Sequence, residues 1–273
     1  MNRLFVVNKP IFISSNFYLK KIKRKYKNKK AGFSGTLDPF AKGCLIVAFG
    51  QYTKLFRYLK KTPKSYKAVI FLGAHSSSLD IENIEVSNNI IDPIDQNIIK
   101  KELLDLKGKL EYLPPKYSAK KIDGKRAYDL ARAGVDFETK KITSIIFDIK
   151  FLSYCHPFIT FEISVSEGSY IRSIAQIFLD KIDQIGTLSY LERLNEGKLR
   201  FEDEKELDPL KYIDLPINHY SGTQEWFELG KKLSIEYFSQ KEDGEYLVIF
   251  DQFFSIIKIV DQNISYSLNK VLR

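Results

Sequence analysis

A lone carboxylate marks where this sequence could do chemistry. Asp38 is the first acidic residue of the chain and Asp80 the next, while residues 1–79 carry 17 Lys or Arg. That segment is net +16 against +9 for all 273 residues, so the acid stands where a polyanion would be drawn. A carboxylate so placed can act as nucleophile or base on a bound nucleotide. Its setting is Gly32-Phe33-Ser34-Gly35-Thr36-Leu37-Asp38-Pro39-Phe40-Ala41-Lys42-Gly43. Three glycines and a proline argue against a helix or a regular strand interior, and Pro39 biases Asp38 toward extended backbone. The apolar run Cys44–Phe49, closed by Gly50, reads as a buried strand able to hold the loop rigidly. On charge and loop chemistry alone, Asp before Pro as a plain turn initiator is the more economical reading.

Other reactive residue types offer less. His75, His156 and His219 are scattered, and Cys44 and Cys155 lie far apart, so neither a zinc cluster nor a cysteine metal site is expected. Two distant cysteines, no signal peptide and no apolar run long enough to span a bilayer imply a cytoplasmic, non-membrane protein. Hydrophobic content of 44% and aromatic content of 14% exclude a disordered chain. The basic N-terminal segment points to nucleic acid as partner.

Several elements must position the acid. Residues 4–7 read as a strand, and Ser14-Ser15-Asn16 as the cap of a helix over 17–29 with Leu19, Ile22 and Tyr26 on one face. Eight of residues 19–30 are Lys or Arg with no acid at i,i+4 spacing, which favours a phosphate-contacting helix. Residues 51–61 read as a helix burying Leu55, Phe56 and Leu59. Residues 65–72 alternate as a strand with Tyr66, Ala68 and Ile70 on one face. Asp92-Pro93 opens a helix that Gly108 ends. A proline-stiffened basic loop over 112–121 leads to a helix near 125–133. Strands follow near 142–154 and 158–166, then a helix entered at Arg172 and a strand over 187–194. This order lacks regular βαβ alternation, so the fold class expected is α+β on a mostly antiparallel sheet. Residues 203–217 read as an acidic linker, and the runs 233–238, 246–250 and 253–260 as a small all-β module.

These residues resemble the TruB family of tRNA pseudouridine synthases. Gly35-Thr36-Leu37-Asp38-Pro39 with Gly43 and Leu45 is similar to the family's Gly-(Thr/Ala)-Leu-Asp-Pro loop. The likeness continues in order through Asn8-Lys9-Pro10 with Ser14-Ser15, Lys64-Ser65-Tyr66-Lys67-Ala68 with Leu72-Gly73, and Asp80. It then takes in Pro114-Pro115-Lys116-Tyr117-Ser118-Ala119, Gly124-Lys125 with Tyr128, Gly168-Ser169-Tyr170-Ile171-Arg172, and Tyr190-Leu191-Glu192-Arg193-Leu194. It spans about residues 6–195 and outweighs the turn reading of Asp38.

The resemblance implies a pseudouridine synthase fold over residues 1–217 and a PUA-like β module over 218–273. It implies isomerisation of uridine 55 in the T-arm of tRNA to its C-glycoside, a rearrangement that calls for no metal or cofactor. A target uridine within a folded loop must be flipped out, at about a few kcal/mol of unstacking. In the carried-over roles Asp38 is the catalytic carboxylate and Arg172 pairs with it. Tyr66 stacks on the uracil, its phenol placed to assist proton movement, and Leu191 lines the pocket. Lys9, Lys20, Lys21, Lys23 and Arg24 would hold phosphates, joined by Lys116 and Lys120. Phe33 stands where the family has His; it can stack but cannot donate a hydrogen bond. Ser76-Ser77-Ser78 stands where the family usually has Thr-Asp-Thr. Residues 218–273 carry 6 basic and 8 acidic side chains, so a merely structural cap is an equal reading of that module.

Three rivals bound this reading. A non-catalytic RNA-binding protein predicts that Asp38 is dispensable. An aspartyl-nucleophile phosphatase needs a second Asp two positions on, where Phe40 stands. The compact length and lack of basic extensions favour a monomer acting without guide RNA over the family's guide-dependent branch.

Overall fold

The structure is a computed structural model that describes residues 2–86, 92–118, 120–122 and 124–273. Ala119 of the Pro-Pro-x-Tyr-Ser-Ala loop lies outside them. The strands β1 (Arg3–Lys9), β2 (Ala31–Ser34), β3 (Lys42–Phe49) and β4 (Lys64–Leu72) are followed by β5 (Gly108–Tyr112), β6 (Ile142–Cys155), β7 (Phe158–Val165) and β8 (Gly186–Glu196). They form one sheet in the order β1-β3-β8-β4-β7-β6-β5, with β2 also on β3. All these pairings are antiparallel except β3 with β8, where Lys42 and Gly43 meet Glu192 and Arg193. The α+β expectation on a mostly antiparallel sheet is met.

The Asp38 loop leaves β2 at Ser34 and re-enters β3 at Lys42, at that parallel junction. A Cβ on Gly43, whose φ is 108°, would lie 2.3 Å from the Arg193 carbonyl oxygen, so only glycine lets β3 start there.

Strict alternation makes β4 a half-buried strand: Tyr66, Ala68, Ile70 and Leu72 all point into the core. On that face lie the helices α2 (Gln96–Leu104), through Ile99 and Leu103, and α4 (Ile171–Lys181), through Ile171, Ile174 and Phe178. Each such buried side chain stabilises the fold by about 1.5–3 kcal/mol. Helix α1 (Ser15–Lys25) packs Leu19 and Ile22 on the outer side of β1 and β3. Ser14 caps it by accepting from the Phe17 amide.

Local readings fail where distant contacts decide. Ala31–Ser34 is a strand despite its glycine. Residues 50–54 form a 3₁₀ turn, not a helix through 61, because Leu55 and Leu59 reach the core through successive tight turns and Lys60 N–H bonds to the Tyr212 carbonyl. Helix α2 starts at Gln96, not at Pro93, since Asp95 is the residue that caps it. The acidic stretch is a strap and not a loose linker. Leu207, Leu210 and Ile213 pack on the β1/β3 cluster, and the Glu204 carboxylate takes Lys25 at 2.7 Å and the Tyr26 hydroxyl.

In the C-terminal region Gly244–Ile249, Phe253–Val260 and Asn263–Leu272 form a three-stranded antiparallel sheet, whereas residues 233–238 hold only a 3₁₀ turn. One face packs Leu247, Phe254 and Val271 against Leu4, Val6 and Ile46; the other covers Phe227 and Phe238. Among the described residues no helix is long and apolar enough to cross a membrane.

Candidate active site

The Asp38 loop is pinned from three directions. Ser15 Oγ bonds both the amide and the carbonyl of Leu37, each at 3.0 Å. Arg193, fully buried, donates to the carbonyls of Gly35 and Cys44 at 2.8 Å, so one guanidinium ties both ends of the loop. Lys9 Nζ donates to the Pro39 carbonyl at 3.4 Å and to those of Ile13 (2.7 Å) and Pro10 (3.0 Å).

Lys9 therefore departs from expectation. It is fully buried, its ammonium is directed at three carbonyls, and it cannot serve as a phosphate ligand. Desolvation lowers its pKa from 10.5 to about 8, against the opposing charge of Asp38. Below pH 8 it is charged in the folded and unfolded chain alike, and its desolvation weighs against folding. Between pH 8 and 10.5 only the unfolded chain keeps the proton, so its share of stability rises with pH. Lys9→Met is expected to destabilise by about 2–4 kcal/mol by orphaning buried carbonyls. In denaturant titrations the gap between wild type and variant should widen from pH 8 to 10.5; a gap independent of pH contradicts this.

Asp38 itself is about one-third exposed at the mouth of a cleft, and its Oδ2 lies 2.9 Å from Arg172 Nη2. Arg172 is buried, entering from the first turn of α4, and every remaining contact fixes its fork. Nη1 meets Asp80 Oδ2 at 3.1 Å and the Ser78 carbonyl at 2.8 Å, and Nη2 donates to the Tyr117 carbonyl at 2.8 Å. Burial pushes the Asp80 carboxyl above its usual range, opposed by Arg172 and by the Ser78 hydroxyl, which donates at 2.6 Å. One arginine is thus held rigidly between an inner acid and an outer one.

Two cavities meet at Asp38. One, of about 270 Å³, is walled by Tyr66, Leu191, Tyr170, Arg172, Arg193 and Lys64 among others. Tyr66 lies opposite Arg193 in the sheet register, and both side chains line this cavity. A chain of charges runs along this wall and behind it. Lys61 and Lys64 take Glu167 at 2.9 and 3.5 Å, and the fully buried Glu196 sits between Lys64 (2.8 Å) and Arg193 (3.0 Å). The other cavity, of about 310 Å³, is lined by Phe33, Ser14, Tyr117, Tyr128 and Arg126 as well as Asp38 and Arg172. The first has room for a pyrimidine with an aromatic wall; the second opens toward α1 and the short helix α3 (Ala127–Arg132).

Asp38, Arg172, Tyr66, Leu191 and Phe33 are thus brought together. Lys20, Lys21, Lys23, Arg24, Lys116 and Lys120 line neither cavity. Lys20, Lys21 and Arg24 are exposed on α1, Lys23 and Lys120 are half-buried, and Lys116 pairs with Asp136 at 3.2 Å. Sequence reasoning gave no role to Asp80, Ser78, Tyr170, Arg193 or Glu196. Asp80 carried a signal as the second acid of the chain, and Tyr170 as the neighbour of Arg172's turn.

Residues 23–171 match the family described as TruB family pseudouridylate synthase (N terminal domain). A tRNA pseudouridine synthase B of Sulfurovum sp. (strain NBC37-1) is 55% identical over 271 residues, covering 99% of this chain and 98% of its own. That of Campylobacter concisus (strain 13826) is 51% identical over 273 residues, with 99% of each chain covered. A solved chain of a Cbf5-Nop10-Gar1 complex superposes with a TM-score of 0.68 at 16% identity, over 99% of this chain and 84% of its own, which shows a shared fold.

Proposed function

The chain belongs to the TruB family of pseudouridine synthases, and on that premise we propose that it isomerises uridine 55 in the T-loop of tRNA to pseudouridine, with Asp38 as the catalytic carboxylate. The observation that carries the assignment of roles is the Asp38–Arg172 pair at the junction of the two cavities, its arginine locked from behind by Asp80. The reaction breaks the bond between N1 and C1′, turns the uracil, and joins C5 to C1′. The C5 proton leaves and N1 gains one, so the product is an isomer. Asp38 acts on the flipped nucleotide as nucleophile or base while Arg172 fixes its orientation. Tyr66 and Leu191 enclose the base while it is loose, which keeps water from it. Tyr66 sits across from Arg193 on the rigid sheet, with its ring on the cavity wall that the uracil would meet.

In the T-arm complex α1 supplies phosphate contacts through Lys20, Lys21 and Arg24, and Phe33 stacks where a base leaves the loop. We take the enzyme to act as a monomer in the cytoplasm without guide RNA, as the family resemblance implies. Residues 218–273 serve as a PUA-like module whose sheet braces β1 and β3.

An unmodified tRNA transcript treated with the protein and mapped at nucleotide resolution should show pseudouridine at position 55 alone; no pseudouridine, or pseudouridine elsewhere only, refutes the proposal. Reversing Lys20, Lys21 and Arg24 together to Glu should weaken tRNA binding and flatten the plot of log K against log[salt] by about 2–3 units, at 0.7–0.9 per phosphate contact. An unchanged slope would mean that α1 faces away from the RNA.

A further inference from the structure

The turn between β1 and α1 carries an exposed aromatic in a conformation that favours glycine. Phe12 has a φ of 58°, where a side chain with a Cβ is strained, and yet it is 70% exposed. No burial repays that strain. Phe17, in the first turn of α1, is 54% exposed, and Ile11 is also open to solvent. These three border a single open depression of about 540 Å³, with Lys21 on its rim and its Nζ 5.5 Å from the Phe17 ring centroid. Contiguous exposed apolar groups of this kind mark a contact surface.

Two observations say what covers it. The first is position. Ser14 lines both this depression and the cavity that holds Asp38. Lys9 bonds the carbonyls of Pro10 and Ile13 on one side and of Pro39 on the other, so the turn is fastened to the Asp38-Pro39 loop. The second is charge. Lys21 lies on the rim of the patch, Lys20 and Arg24 of the same helix are also exposed, and the chain before Asp38 contains no acid. Flat rings beside cations, held at a fixed distance from a nucleotide-sized cleft, match the chemistry by which unpaired nucleotides are bound: bases stack on rings while phosphates meet the cations.

We infer that Phe12 and Phe17 form a platform on which an unpaired base of the substrate RNA stacks, outside the pocket that takes the target uridine. This rests on the reading of the protein as an enzyme acting on tRNA, and it adds a second point of purchase on nucleotides that the RNA exposes near its modified loop.

The test is Phe12→Gly, which takes the same backbone without strain, with Phe17→Ala as a second variant and Phe12→Trp as the restoring one. Kd is measured on unmodified tRNA at several salt concentrations, beside a fully paired RNA duplex, with sedimentation recorded in parallel. The expected result is a Kd raised roughly ten-fold or more for tRNA in Phe12→Gly and Phe17→Ala, the effect of one lost stack. The salt slope should not change, because no charge is removed. The duplex should bind the wild type and the variants alike, and Phe12→Trp should bind tRNA as tightly as the wild type. A tRNA Kd within two-fold of wild type in both variants overturns the inference, as does an equal loss on the duplex or a change only in self-association. Binding is read apart from catalysis, so a wild type that binds tRNA but forms no pseudouridine would sink the proposed function without deciding this result.

Discussion

Asp38→Asn is expected to reduce pseudouridine formation to background, a loss on the order of 10⁴-fold or more in kcat, equivalent to roughly 5 kcal/mol or more of transition-state stabilisation. The amide keeps the shape of the carboxylate and the loop anchors at Leu37, Pro39 and Gly35, so the fold should be unaffected. The affinity for tRNA should be unchanged or slightly higher, since one negative charge leaves a cleft that receives phosphates. This split between lost turnover and kept binding separates an enzyme from a protein that only binds RNA. Such a protein predicts that the substitution changes nothing, and comparable turnover by the variant would refute the role given to Asp38.

Arg172 carries the second large effect, and two substitutions read it differently. Lysine keeps the charge but cannot span Asp38, Asp80 and the Ser78 and Tyr117 carbonyls from one planar fork. Arg172→Lys is therefore expected to lower kcat by about 10²–10³-fold while moving the tRNA Kd little, because the outer carboxylate is no longer aimed. Arg172→Met instead leaves Asp80 buried without its counter-charge, and unfolding should require about 3–5 kcal/mol less at neutral pH. The sign of the pH dependence follows from Asp80, whose carboxyl burial already holds above its usual range against the pull of Arg172. Removing Arg172 raises that folded-state pKa further. The penalty is then full above it, shrinks as pH falls through it, and is gone below the unfolded value of 3.8. Urea titrations across that range should show the Met variant closing on the wild type in acid; a constant gap would mean that Asp80 is not the group left unpaired.

Much of this was legible because local chemistry settled it. Pro39 and the flanking glycines announced the loop that carries Asp38, strict alternation announced β4, and the Ser14 cap announced α1. What could not be read locally was partner choice across long separations. Arg172 and Asp80 are 92 positions apart, and the strap residue Glu204 answers Lys25 from 179 positions away. The resemblance makes Lys9 a phosphate ligand, but its burial depends on the carbonyls of a turn and of a distant loop, which no local pattern announces. Residues 51–61 had helical spacing of apolar groups, but several tight turns also bring Leu55 and Leu59 to the core, and the backbone partner at Tyr212 selected them. The strand Asn263–Leu272 was missed because most of its side chains are partly or fully exposed, leaving no alternation to detect.

The most direct test of the central claim follows the hydrogen that the rearrangement must expel. With tRNA carrying tritium at C5 of its uridines, the wild type should release one tritium per tRNA, none should be released when position 55 is cytidine, and Asp38→Asn should release none even in excess over RNA. Release that persists without uridine 55, or that Asp38→Asn sustains at a comparable rate, would contradict the account.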